Sequence, residues 1–181
     1  MVVSAQVNIM MNFRIYIFFI GVFFSSVAAT DEVKPIERIP ITDARNNAVE
    51  YAMTQALIHS KIAEKCQKLP EPVKTNAKSA LVEWRRRNQY LVTPSFFWIN
   101  YVAKENPQNQ DYVYLAMTSF DVKAKNVVKA AMPDRKPDTS TCNEWLVKFL
   151  DASLDLKQSE HATSLQEILE YSYRFSVPAV R

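Results

Sequence analysis

The chain has 181 residues, with 22 lysines and arginines against 19 aspartates and glutamates, a formal net charge of +3 and 48% hydrophobic residues. Its only glycine is Gly21, so a Walker loop, a Rossmann fingerprint and a Gly-x-Ser-x-Gly elbow cannot occur, and tight hairpins that need positive φ are disfavoured. The near balance of charge argues against a general nucleic-acid binder.

At the N-terminal side, Arg14 precedes a ten-residue apolar block, Ile15 to Phe24, and small residues follow at Ser25-Ser26-Val27-Ala28-Ala29. This pattern predicts a signal peptide over residues 1–29, cut after Ala29. A permanent anchor is the competing reading, but a span needs roughly 20 apolar residues, and charge returns at Asp31 and Glu32. Met11 places Arg14 closer to the start than Met1 does. The mature chain is expected in a periplasm or outside the cell, with no permanent membrane span after processing. Without Arg14 it carries 21 basic and 19 acidic residues. An oxidising compartment then favours a disulfide between the only two cysteines, Cys66 and Cys142.

Residues 30–41 form a polar, proline-marked lead-in to a single helical domain over 42–181. Thr42 and Asp43 can cap a first helix running from about Asp43 to Leu69, with Ala44, Ala48, Tyr51, Ala52, Ile62, Cys66 and Leu69 as its apolar stripe. Pro70 and Pro72 stop it. A second helix, about Pro72 to Val92, contains Arg85, Arg86 and Arg87. At 100° per residue, Ala77, Leu81, Trp84, Asn88 and Leu91 fall on one side while Arg86 points away, and Arg85 and Arg87 flank the stripe with their stems over its edges. A solvated arginine edge explains the triplet, and an anion or acidic-partner patch is the rival.

Thr93-Pro94 reads as a new cap and first turn, predicting a separate, angled helix from Pro94 to Lys104, with a short strand as the local competitor. Phe96, Phe97, Trp98, Ile99, Tyr101 and Val102 make that segment apolar almost all round. Burial or a second contact surface would each account for it. A third helix is predicted over Asp111 to Met132, facing inward through Val113, Ala116, Met117, Phe120, Ala124, Val127 and Ala131. Thr141 to Glu144 has the capping-box pattern of a fourth, whose stripe runs Cys142, Leu146, Phe149, Leu150, Ser153 and Leu156. A last helix, about Ser164 to Phe175, turns Leu165, Ile168, Leu169 and Phe175 inward, with Thr163 and Gln166 as a possible box. The expected fold is all-α: an antiparallel bundle of four main helices plus short ones, closed by one disulfide.

Chemistry is sparse. Gln55 and His59 share a stripe at i and i+4, level with Asn88 if the first two helices fold back on each other, so a buried polar cluster of Gln55, His59 and Asn88 is expected. It could set register, line a ligand pocket, or let His59 act as a general base for hydrolysis. His161 sits in a polar connector and reads as a surface histidine. No His-Glu-x-x-His, Cys-x-x-Cys or Cys-x-x-Cys-His spacing is present, so no catalytic residue is assigned and neither metal nor cofactor is expected. The expected role is a non-enzymatic protein-binding, inhibitor, immunity-type or assembly accessory module, using Arg85, Arg86, Arg87, Phe97, Trp98 and Tyr101 on a protein partner. A small apolar ligand held in an aromatic cavity is the alternative.

Overall fold

The computed structural model describes residues 38–181 apart from 109–110, 134–136 and 177–181. Residues 1–29 and most of the lead-in, on which the signal-peptide reading falls, lie outside the described residues. Among the described residues the fold is all-helical, with five α-helices, two 3-10 turns and no strand. Cys66 and Cys142 form a disulfide with Cα atoms 5.7 Å apart.

Helix α1 spans Asp43–Cys66. Its first turn is closed by Thr42, whose hydroxyl accepts from the Arg45 amide at 3.3 Å. From Ala48 to Ala63 it has no exposed residue, because it packs against α2, α3, α4 and α5. That central position widens its buried face beyond the predicted stripe to Val49, Met53 and Ile58, while Ala44 is exposed. The helix stops at Cys66 rather than Leu69, and Leu69 is buried in the turn beyond it.

Helix α2 is one 33-residue helix, Val73–Glu105, and Pro94 lies inside it. The predicted break there does not occur. Proline removes one donor from the ladder and leaves the Tyr90 carbonyl without its intrahelical partner. Tyr90 is exposed, so water can reach that side. Leu91, Val92, Trp98 and Ile99 are all buried and hold both halves to the same core, while the Ser95 hydroxyl donates to the Leu91 carbonyl at 3.0 Å. Anchoring on both sides outweighs the local preference for a new helix. The competing strand is likewise absent. Asn46 meets Trp98 and Ser60 meets Arg85, so α1 and α2 run antiparallel.

Helix α3, Tyr112–Ala131, buries Phe120, Ala124 and Val128. Val127, predicted inward, is exposed, since the inward register passes through its neighbour. Helix α4, Thr139–Leu150, begins two residues before the predicted box. Its cap is Asp138, whose carboxylate accepts from the Thr141 amide and hydroxyl at 2.7 and 3.0 Å. Those hydrogen bonds hold the Asp138 carboxyl below its usual range. The helix ends at Leu150, and two 3-10 turns, Ala152–Leu154 and Leu156–Gln158, carry the chain onward. Leu150 and Ser153 are therefore exposed, whereas Leu156 is buried by a different route. Helix α5, Ala162–Ser176, buries Leu165, Ile168 and Leu169. The predicted inward side chain of Phe175 lies outside the described residues.

Two buried clusters result. One, around Trp84, Leu91, Trp98 and Ile168, joins α1, α2 and α5; the other, around Ile62, Leu81, Val128, Leu146 and Phe149, surrounds the disulfide. No helix among the described residues is long and apolar enough to cross a membrane.

Candidate functional site

The three arginines have three different jobs, set by their angular positions on α2. Arg85 is exposed and donates to the Ser60 hydroxyl at 3.1 Å. Arg86 points to solvent and makes two bonds to Glu83, at 2.8 and 2.7 Å. Hydrogen bonds from Arg86 and then Arg87 hold the Glu83 carboxyl down to about 2. The pair is water-facing, so its contribution to stability is small. Arg87 turns inward, where its guanidinium bonds both Asp155 oxygens at 2.9 and 3.1 Å, the Phe149 carbonyl at 2.6 Å and Glu83 at 3.2 Å.

Asp155 is the residue that sequence reasoning missed. It is 2% exposed and sits between the two 3-10 turns. Asn88 completes the clamp: its amide nitrogen donates to Asp155 at 3.0 Å and to the Trp84 carbonyl at 2.8 Å, and its oxygen accepts from the Leu156 amide at 2.7 Å. Arg87 and Asn88 thus bind the end of α4 and the turns after it to the middle of α2. The buried polar cluster exists, but with a different membership from the expected one.

His59 adjoins this clamp. Its ring stacks on Trp84 with centroids 4.2 Å apart and tilts against Phe149 at 4.6 Å. Nδ1 lies 2.7 Å from the Gln55 carbonyl, which makes it the donor in a neutral ring. Nε2 is shut away from solvent without a hydrogen-bond partner. A general base must reach a proton on its substrate, and this nitrogen has no such access. Gln55 contributes only that carbonyl to the cluster; its half-buried side chain lines a neighbouring pocket with His161.

Burial lowers the His59 pKa to about 4, and Arg87 pushes in the same direction. The bond to Gln55 and the charge of Asp155 oppose the shift less strongly. The unfolded histidine titrates near 6.5, so between about pH 6.5 and 4 the unfolded chain takes up a proton that the folded one refuses. Stability carried by the neutral ring is present above 6.5 and falls as pH drops, by about 3 kcal/mol when complete. His59→Phe should flatten this part of the pH profile. Parallel thermal-melting profiles for the two proteins from pH 7.5 to 4 would show that His59 is not the acid-sensitive group.

The aromatic stretch also divides. Trp98 is 1% exposed and its Nε1 donates to the Asn46 side chain at 2.9 Å, so it is a core residue and cannot touch a partner. Tyr101 is half-buried and donates to the Ile39 carbonyl at 3.0 Å, tying the lead-in to α2. Phe97 leans edge-on against Tyr171 at 6.2 Å, and Tyr171 meets Tyr101 at 5.5 Å. Among the described residues these rings pack on one another. Phe96, in contrast, is 45% exposed.

Phe96 belongs to a continuous outer face. Val82, Arg86, Gln89, Tyr90, Thr93, Phe96 and Asn100 follow helical spacing along α2 and are all exposed. Tyr90 leads from this face into a groove toward α5 lined by Lys157, Thr163, Gln166 and Glu170. Sequence reasoning saw the arginines and the aromatic run as neighbours in sequence. The uninterrupted helix is what aligns Arg86, Tyr90 and Phe96 along one side.

Among the described residues no group of three or more histidine, cysteine, aspartate or glutamate side chains is placed to hold a metal ion. Comparison of the chain with protein-family models, with curated proteins and with solved structures gives no match.

Proposed function

We propose that the protein is an exported, non-enzymatic binding module that engages a protein partner through the outer face of α2. The observation that carries this reading is the exposure of Val82, Tyr90 and Phe96, at 58%, 42% and 45%, beside Arg86 on the outer side of one continuous 33-residue helix. Aromatic residues and arginine are the usual energetic anchors of protein interfaces, and a helix held by a buried core on its opposite side loses little order on binding. Asn88, Arg87 and Asp155 are spent on one another inside the fold, and His59 is closed off beside them. Export is supported by the apolar block Ile15 to Phe24 with its small-residue boundary, and by the pairing of both cysteines. Helices α4 and α5 serve as successive halves of a fourth column in an antiparallel bundle, leaving the Arg86 side of α2 uncovered.

Crosslinking and capture from the exported fraction, with Arg86→Glu, Tyr90→Ala and Phe96→Ala, tests the reading. Each variant should keep the wild-type melting temperature within a few degrees and lower partner recovery about tenfold, the effect of losing one interface anchor. Undiminished recovery in all three would remove the α2 face from the interaction. Trp98→Ala belongs to a different experiment, because it hollows the core.

A further inference from the structure

The most unusual side of α1 is not apolar. Asn47, Glu50, Tyr51, Thr54 and Gln55 recur at i, i+3, i+4, i+7 and i+8, the spacing of a core-facing stripe, yet every one is a hydrogen-bonding residue. All but Asn47 are half-buried on this central helix. With Lys123 of α3 and His161 just before α5, they line an open pocket of about 350 Å³. A second hollow of about 230 Å³, lined by Trp98, Ile99 and Phe120, shares Asn47 and Glu50 with it.

We propose that this pocket binds a neutral sugar ring, independently of the α2 face. The charges set the class. Glu50 and Lys123, its one carboxylate and one ammonium, pair with each other, and the Glu160 carboxylate 3.8 Å from His161 Nε2 is largely in water, so the lining holds no unpaired positive charge for an anion. What remains is a hydroxyl, two amides, a phenol and an imidazole, a mixture of donors and acceptors that matches a ring bearing several hydroxyls. The Tyr51 and His161 rings pack against each other at 4.9 Å with a 46° tilt, so the C–H face of a pyranose would stack on one of them and not across both.

Isotope-labelled protein titrated with a neutral disaccharide, a longer neutral oligosaccharide and a sugar phosphate decides the matter. Both neutral sugars should bind saturably and move the resonances of Asn47, Tyr51 and Gln55, with affinity reduced about threefold to tenfold in Asn47→Ala and in Gln55→Ala. Tighter binding of the oligosaccharide would identify a glycan chain as the source, and equal binding a free sugar; either supports the site. Phe96→Ala should bind sugar normally, so loss of the partner-binding role would leave this result intact. Preference for the sugar phosphate, no saturation by about 50 mM neutral sugar, or binding unchanged in both pocket variants would overturn the proposal.

Discussion

Asp155→Ala is expected to lower the free energy of unfolding by about 3–5 kcal/mol, the cost of leaving a buried charge without its partner. The Arg87 guanidinium would lose both of its bonds to Asp155, and Asn88 would lose one of the groups its amide serves. The size of the effect comes from the orphaned groups more than from the attraction itself, because two charges brought together in a low-dielectric interior repay little beyond their own desolvation. Replacing both ends, as in Arg87→Met with Asp155→Leu, should therefore recover part of the loss, the Phe149 carbonyl and the Asn88 amide each still giving up one bond. Urea unfolding of the single and double variants measures this directly. A cost below about 1 kcal/mol for Asp155→Ala would mean that water already reaches the clamp and that the linker between α4 and α5 is held by Leu156 and its apolar neighbours instead.

The same clamp marks the boundary of what a sequence shows. Periodicity is a local property, so the inward positions of Ala77, Leu81, Trp84, Asn88 and Leu91, and the outward direction of Arg86, could be read from α2 alone. The cysteine pairing was legible for another reason: with two thiols only one intramolecular bond exists, whatever the fold. At Pro94 a local rule predicts a break where distant contacts decide; Trp98 and Ile99 hold the helix to the core beyond the missing hydrogen bond. Asp155 had no local signal at all. Its partners lie 67 and 68 residues away, and the turns that carry it inward follow an end to α4 that the regular spacing from Cys142 to Leu156 concealed. Gln55 and His59 shared a predicted stripe, yet four residues advance a helix by about 40° beyond a full turn, enough on a helix surrounded by neighbours to put one side chain in a pocket and the other in the core.

Loss of the Cys66–Cys142 bond should cost about 4 kcal/mol, because it closes a loop of 76 residues in the unfolded chain. Cys66→Ala with Cys142→Ala is the cleaner variant, since a serine would leave a hydroxyl in a site with no exposure. Cavity formation would destabilise without altering the unfolded ensemble, whereas removal of a long cross-link expands that ensemble and exposes more surface. The denaturant slope separates the two: it should rise in the variant together with the fall in stability, and an unchanged slope would assign the loss to packing rather than to the cross-link. The bond also fixes the first half of α4 to the end of α1, while Arg87 grips its last turn through the Phe149 carbonyl. Cutting the bridge and the Asp155 contact together removes about 7–9 kcal/mol if the two act independently, which is the whole stability of many domains of this size. The combined variant should therefore lose its cooperative thermal transition. Persistence of a sharp transition in it would show that the apolar contacts of Leu146 and Phe149 hold α4 in place without either anchor.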